Sequence, residues 1–268
     1  MNSADFTDDV RQSFVVAKNE IRKFLVGKKI ILFGLLVLIL EALNLIVPFV
    51  WGDGFYDPIY GAEALLGNIN LFIVIAAVLF TATSIVSEFE ERTALVLFTK
   101  PIKKWAIFLG KLMASVIIMV LFLAGLYLYA AIAVFAACGE VPGGLLPSFG
   151  LAVCGIIATT GMAIFLSSIS KKGSTASIMT LVVYLLVLTI VGALIATYAK
   201  VDTWWMLDEA MSNIVNSIGV MHILSYDPVV LAYTFVPTDE LWRAAGVMWA
   251  WGIVLMVAGY FFFQKRDF

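Results

Sequence analysis

Apolar residues fill this chain in long blocks, and the breaks between blocks carry its information. No charged residue occurs over 64–87, 112–139, 141–170, 173–199 or 244–264. Each block exceeds the roughly 20 residues that a helix needs to cross about 30 Å of hydrocarbon. An earlier apolar run over 30–50 is interrupted by a single carboxylate, Glu41. The pattern therefore predicts six membrane-crossing helices, at about 30–50, 65–86, 105–138, 146–169, 176–199 and 244–263, because helices satisfy every backbone group inside lipid. The expected fold class is an all-α polytopic membrane protein, with residues 1–268 forming a single transmembrane domain.

Composition changes little except to exclude. Of 268 residues, 62% are apolar and only 13% charged, against roughly 25% charged in soluble domains. A soluble enzyme, a disulfide scaffold and a nucleic-acid binder are all ruled out. Cys138 and Cys154 form no CxxC or Cys/His cluster, so no metal site is expected, and packing is their plain reading. The first apolar run starts near Ile30, after a charged stretch, and runs too long for a signal peptide.

The distribution of charge gives orientation. Fifteen of the 17 basic residues fall before the first span, between spans two and three, between spans four and five, or after span six. Lys200 and Arg243 alone fall on the other side. By the positive-inside rule both termini are cytoplasmic. The opposite connections are acidic, and the longest, 200–243, contains an uncharged stretch Ala210–Leu224 too polar for a seventh span. This stretch reads as a helix lying in, or dipping into, the outer interface, with Trp204 and Trp205 at headgroup level. His222 stands there without metal-ligand partners and reads as interfacial.

Ahead of the first span, residues 8–29 place Val10, Phe14, Ala17, Ile21, Phe24 and Leu25 at helical spacing, with Arg11, Lys18 and Arg22 on another face. An amphipathic connecting helix on the inner leaflet is expected, the alternative being an ordinary basic flank.

The connection over 88–104 is the most informative. Glu88, Glu90 and Glu91 complement a helix N-terminus. Ala94, Leu97 and Phe98 share one helical face, and Pro101 stops the helix. Lys100, Lys103, Lys104 and Trp105 then return the chain to the membrane. A short amphipathic helix under the bilayer, joined to two spans, can transmit a push from a cytoplasmic partner.

These residues carry a family resemblance. Glu90, Thr93, Leu97, Lys100-Pro101 and Gly110-Lys111 resemble the coupling region of ABC-2 type transporter permeases. Val16–Ile30 is similar to that family's connecting helix, and Phe165–Ser177 to its connection between spans four and five. Arg92 departs from the glycine usual before the threonine. The Lys-Pro-Ile form is more like the branch with the nitrous oxide reductase maturation and gliding-motility permeases. The resemblance implies an exporter subunit in a prokaryotic cytoplasmic membrane. It would pair with a second permease copy or a homologous permease and with two copies of an ABC ATP-binding subunit, which hold the ATP and Mg. The ATPase-coupling residues it implies are Glu88, Glu90, Glu91, Thr93, Leu97, Phe98, Pro101, Gly110 and Lys111. No cofactor is expected on this chain, and neither GKK at 27–29 nor GKL at 110–112 has the glycine loop of a P-loop.

Glu41 lies near the midplane of the first span, and Asn44 follows on the same face. A carboxyl group there costs at least about 2.5–3.5 kcal/mol on insertion scales and must face protein or water. The pair either lines a translocation path or serves as a hydrogen-bonded packing device. Two other function classes fit less well. An intramembrane protease needs several histidines and carboxylates to hold a metal, and the chain has one histidine. A secondary transporter shows inverted repeats and broken midplane helices.

Overall fold

The computed structural model describes residues 3–52, 54–86, 103–226, 229–234 and 236–265, with side chains placed over 9–52, 54–86, 103–219 and 236–265. Helix α1 (Ser3–Val26) precedes α2 (Lys28–Trp51), the first span. The second span is α3 (Pro58–Leu66) followed by α4 (Ile69–Ala76), which continues as a π-helical turn, Ala77–Ala82. The third is α5 (Lys104–Cys138), and the fourth is α6 (Leu145–Ile169). The fifth combines α7 (Gly173–Val182), a π-helical turn (Val183–Leu188), α8 (Thr189–Leu194) and a second π-helical turn (Ile195–Ala199). After α9 (Leu207–Asn216) come two strands, β1 (Val220–Tyr226) and β2 (Val229–Thr234), and the sixth span α10 (Thr238–Gln264).

Six helical stretches among the described residues are long and apolar enough to cross a membrane. Some bounds differ from those expected. The second span starts at Pro58 rather than near 65 because Asp57 caps it, its carboxylate accepting from the Ile59 N–H at 2.7 Å, with proline at the first helical position. Glu63, expected in a loop, therefore sits on a helix.

The segment between spans five and six also departs from expectation. Its helix covers Leu207–Asn216 and does not continue to Leu224; Val220–Tyr226 instead pairs antiparallel with Val229–Thr234. Gly219, at φ +139, ends the helical path in a conformation that side-chain-bearing residues rarely adopt. Beyond it, Val220, Ile223, Val229 and Val230 favour strand over helix. The strands form a small hairpin on an otherwise helical architecture.

The α6–α10 contact is the most extensive between helices. A Cβ on Gly161 would stand 2.6 Å from the Gly252 carbonyl oxygen, and one on Gly259 3.1 Å from Phe165 Cα. Backbones approach this closely only through small residues, the usual device where lipid removes the hydrophobic drive between helices. The first and fifth spans are the least covered by the rest of the chain.

α9 is wedged into the end of the bundle opposite α1. Leu207, Ala210, Met211 and Ile214, at helical spacing, are all buried. Two of its carbonyls are held by side chains of other helices. The Asn70 amide donates to Met211 O at 3.0 Å, and the Ser148 hydroxyl to Ile214 O at 2.6 Å. Tyr127 then donates to Ser148 Oγ at 2.7 Å, since the serine proton is already used. Just before α9, Trp205 O accepts from the Trp251 indole at 3.0 Å. Trp251 lies midway along α10, so this segment dips below the helix ends. It re-enters the bundle.

Candidate functional site

At the α1 end, the third span is longer than a membrane requires. Its 35 residues span about 52 Å by helical rise, against roughly 30 Å of hydrocarbon. The surplus packs against α1. The buried line of α1 runs Asp9, Ser13, Ala17, Glu20 and Phe24, whereas Phe14 and Leu25 are exposed. The apolar face read from the sequence thus divides, part packing on α5 and part facing outward beside exposed Arg11, Lys18 and Arg22.

Polar pairs hold this contact. Lys111 Nζ donates to Glu20 Oε1 at 3.0 Å, and Lys23 Nζ meets the same oxygen at 3.0 Å. Lys103 pairs with Asp9 at 2.5 Å. At Gly110 the two helices approach closely, since a Cβ there would meet Ser13 O and Val16 Cβ, both at 2.7 Å. Gly110 and Lys111 are therefore buried residues that fasten α1 to the start of the third span. The remaining residues of the expected coupling region, Glu88, Glu90, Glu91, Thr93, Leu97, Phe98 and Pro101, lie outside the described residues.

From this clamp an aromatic cluster leads into the bundle. Phe80, in the π-helical turn of the second span, has its ring 5.4 Å from Phe24 of α1, 5.7 Å from Phe33 of α2 and 6.2 Å from Phe122 of α5. A π-helical turn disturbs the regular backbone ladder, and here the Ser115 hydroxyl of α5 donates to Phe80 O at 3.1 Å. Lys29 at the start of α2 donates to Thr83 Oγ1 at 2.8 Å, just past the same turn.

Beyond Phe122 lies the intramembrane groove. α2 contributes Gly34, Val37, Glu41 and Leu45, and α5 contributes Gly125 and Tyr129. Glu41 is only 4% exposed, yet neither carboxyl oxygen has a hydrogen-bond partner at full geometry. Asn44, one turn on, is within electrostatic reach of Glu41, but its Nδ2 also lacks a partner at that geometry. Glu41 thus lines the groove, with Asn44 one turn further along the same helix.

At the opposite end, Lys200, Trp204, Glu209, Glu240 and Arg243 line a polar cleft. The Arg243 guanidinium lies 5.6 Å from the Trp204 ring centroid, within cation–π range. Nearby, burial raises the Asp208 carboxyl above its ordinary value, opposed by a hydrogen bond with Thr189. Lys200 and Arg243, separated by 43 positions in the sequence, both line this cleft. Sequence reading had used them only to set orientation. Glu20 was also missed; its signal was a carboxylate set within an otherwise basic helix.

Among the described residues, six apolar spans and a helix clamped to one of them define a multi-pass membrane protein. The chain belongs to the ABC-2 family: the family model described as "ABC-2 family transporter protein" matches residues 14–268. No curated protein matches the sequence.

Proposed function

We propose that this chain is the membrane subunit of an ATP-driven exporter, energised by a separate ABC ATPase. The observation that carries the reading is the α1–α5 clamp at Gly110 and Lys111, considered with the family match. The clamp fixes the end at which the chain returns to the third span, so a force applied to residues 88–104 reaches α1 and the Phe80 cluster together. That segment supplies the ATPase contact, with Glu88, Glu90 and Glu91 at its acidic start, Thr93, Leu97 and Phe98 along it, and Pro101 as its stop.

Two such chains, or this chain and a homologous permease, pair with two ATPase copies, which hold ATP and Mg. The α1 end faces the cytoplasm of a prokaryotic cell, in keeping with its basic residues. Glu41 and Asn44 line the path along which cargo moves as access alternates. The chain performs no chemistry of its own in this scheme.

Co-purification tests the reading. The native complex is expected to carry a P-loop ATPase, and Glu90→Lys or Thr93→Pro to leave ATP hydrolysis running without transport. Full coupling in both variants would place the contact elsewhere, and a complex without an ATPase would remove the reading.

A further inference from the structure

The groove between α2 and α5 has mainly hydrocarbon walls, including Val37, Leu45 and Phe122, with a carboxyl group set among them. Such a group is costly in apolar surroundings unless it finds donors. Asn44 has one side-chain amide to offer and Tyr129, on the facing wall, one hydroxyl, whereas an ionised carboxyl group can accept about four hydrogen bonds. Its acceptor capacity therefore exceeds what the chain supplies. The groove is also roomy: a Cβ on Gly34 or Gly125 would meet no atom within 4 Å. From Gly34 to Ile46 it runs roughly 18 Å by helical rise.

We propose that this groove binds an amphiphile with a long apolar tail and a protonated amine head, the head donating to Glu41. A charge-assisted N–H to carboxylate bond supplies both the missing donors and the opposite charge. An anionic amphiphile would be repelled, and a plain hydrocarbon would leave the carboxyl group unsatisfied. A second copy of this chain is the poorer occupant, because the charge-free blocks of its other spans hold no cation at this depth. The role of the amine as cargo rests on the exporter reading; its binding does not.

Binding is measured on the purified chain in nanodiscs of phosphatidylcholine, whose headgroup carries no N–H, with tritiated dodecylamine as probe. Saturable binding is expected, unaffected by dodecyl sulfate and weakened about tenfold or more by Glu41→Gln, as follows from losing a hydrogen bond to a charged group. Gly125→Leu fills the groove without touching the carboxyl group, and is expected to weaken binding comparably while the protein stays monodisperse. Unchanged affinity in either variant, or no saturable binding to the unaltered chain, overturns the proposal. So does efficient cross-linking of two copies through Gly125→Cys that dodecylamine fails to compete, which would make the groove a subunit contact. Saturable binding to the purified chain, together with a native complex that carries no ATPase, would sink the exporter reading alone and leave the binding site standing.

Discussion

Lys111 and Glu20, 91 positions apart in the sequence, form a buried ion pair at 3.0 Å between the third span and the N-terminal helix. Both side chains are more than nine-tenths buried. Removing one partner of such a pair is costly, while removing both together is often tolerated. Glu20→Ala and Lys111→Ala are each expected to lower the thermal midpoint of the purified protein. The double variant should lose less than the sum, with a coupling of about 0.5–3 kcal/mol. Additive losses in a double-mutant cycle would show that the two groups do not depend on each other.

Glycines on the same helix should respond oppositely. Gly110→Ala puts a methyl group 2.7 Å from Ser13 O and Val16 Cβ, so α1 must shift, at an expected cost of about 1–3 kcal/mol. Gly125→Ala meets nothing within 4 Å and should stay within about 0.5 kcal/mol of the original. Limited proteolysis of α1 separates the two, with faster cleavage only in the Gly110 variant.

The seating of α9 rests on Ser148 more than on Tyr127. Ser148→Ala removes the direct donor to Ile214 O and leaves Tyr127 without its acceptor. Tyr127→Phe removes only the outer bond. Losses of about 1–3 kcal/mol and about 0.5–1.5 kcal/mol respectively are expected, read as shifts in the unfolding midpoint. Equal losses would mean that the tyrosine anchors α9 by another route.

Burial of Asp208 is expected to make stability depend on pH, with a sign that follows from the raised carboxyl. Burial raises its carboxyl above the ordinary value, only partly offset by Thr189. Stability from this group is therefore fully present below the unfolded value and falls as pH rises through the folded one. Asp208→Asn is expected to flatten thermal stability between the acidic range and neutrality. An unchanged slope would assign the dependence to another group.

The spans were legible because hydrocarbon length is a one-dimensional constraint, and 64–87 or 141–170 meets it by residue type alone. Glu41 was legible for the same reason, as a charge inside an apolar run. Lys111 was legible as a basic residue at a span entrance, but its burial against Glu20 depends on a contact between segments far apart in sequence. The groove was equally hidden, since Gly34 and Gly125 become walls only when α2 and α5 lie side by side. The hairpin is not legible because Ala210–Leu224 is uncharged and mixed in composition throughout, and Gly219 alone marks where the helical path ends. The charge-free run predicts a second span from about 65, and only the placed backbone shows Asp57 capping a helix that starts seven residues earlier, at Pro58.

The π-helical turn at Ala77–Ala82 carries a consequence for the length of the second span. Such a turn spends an extra residue without the full axial rise, so the helix holds spare chain at that point. Losing one residue there would restore ordinary winding and leave Ile69–Ala76 in its present phase relative to Thr83 and the residues after it. The same change anywhere else in α4 would rotate one half of the span against the other by about 100°. Phe80 and the rings around it therefore sit at the joint where this helix can change length without losing its angular alignment.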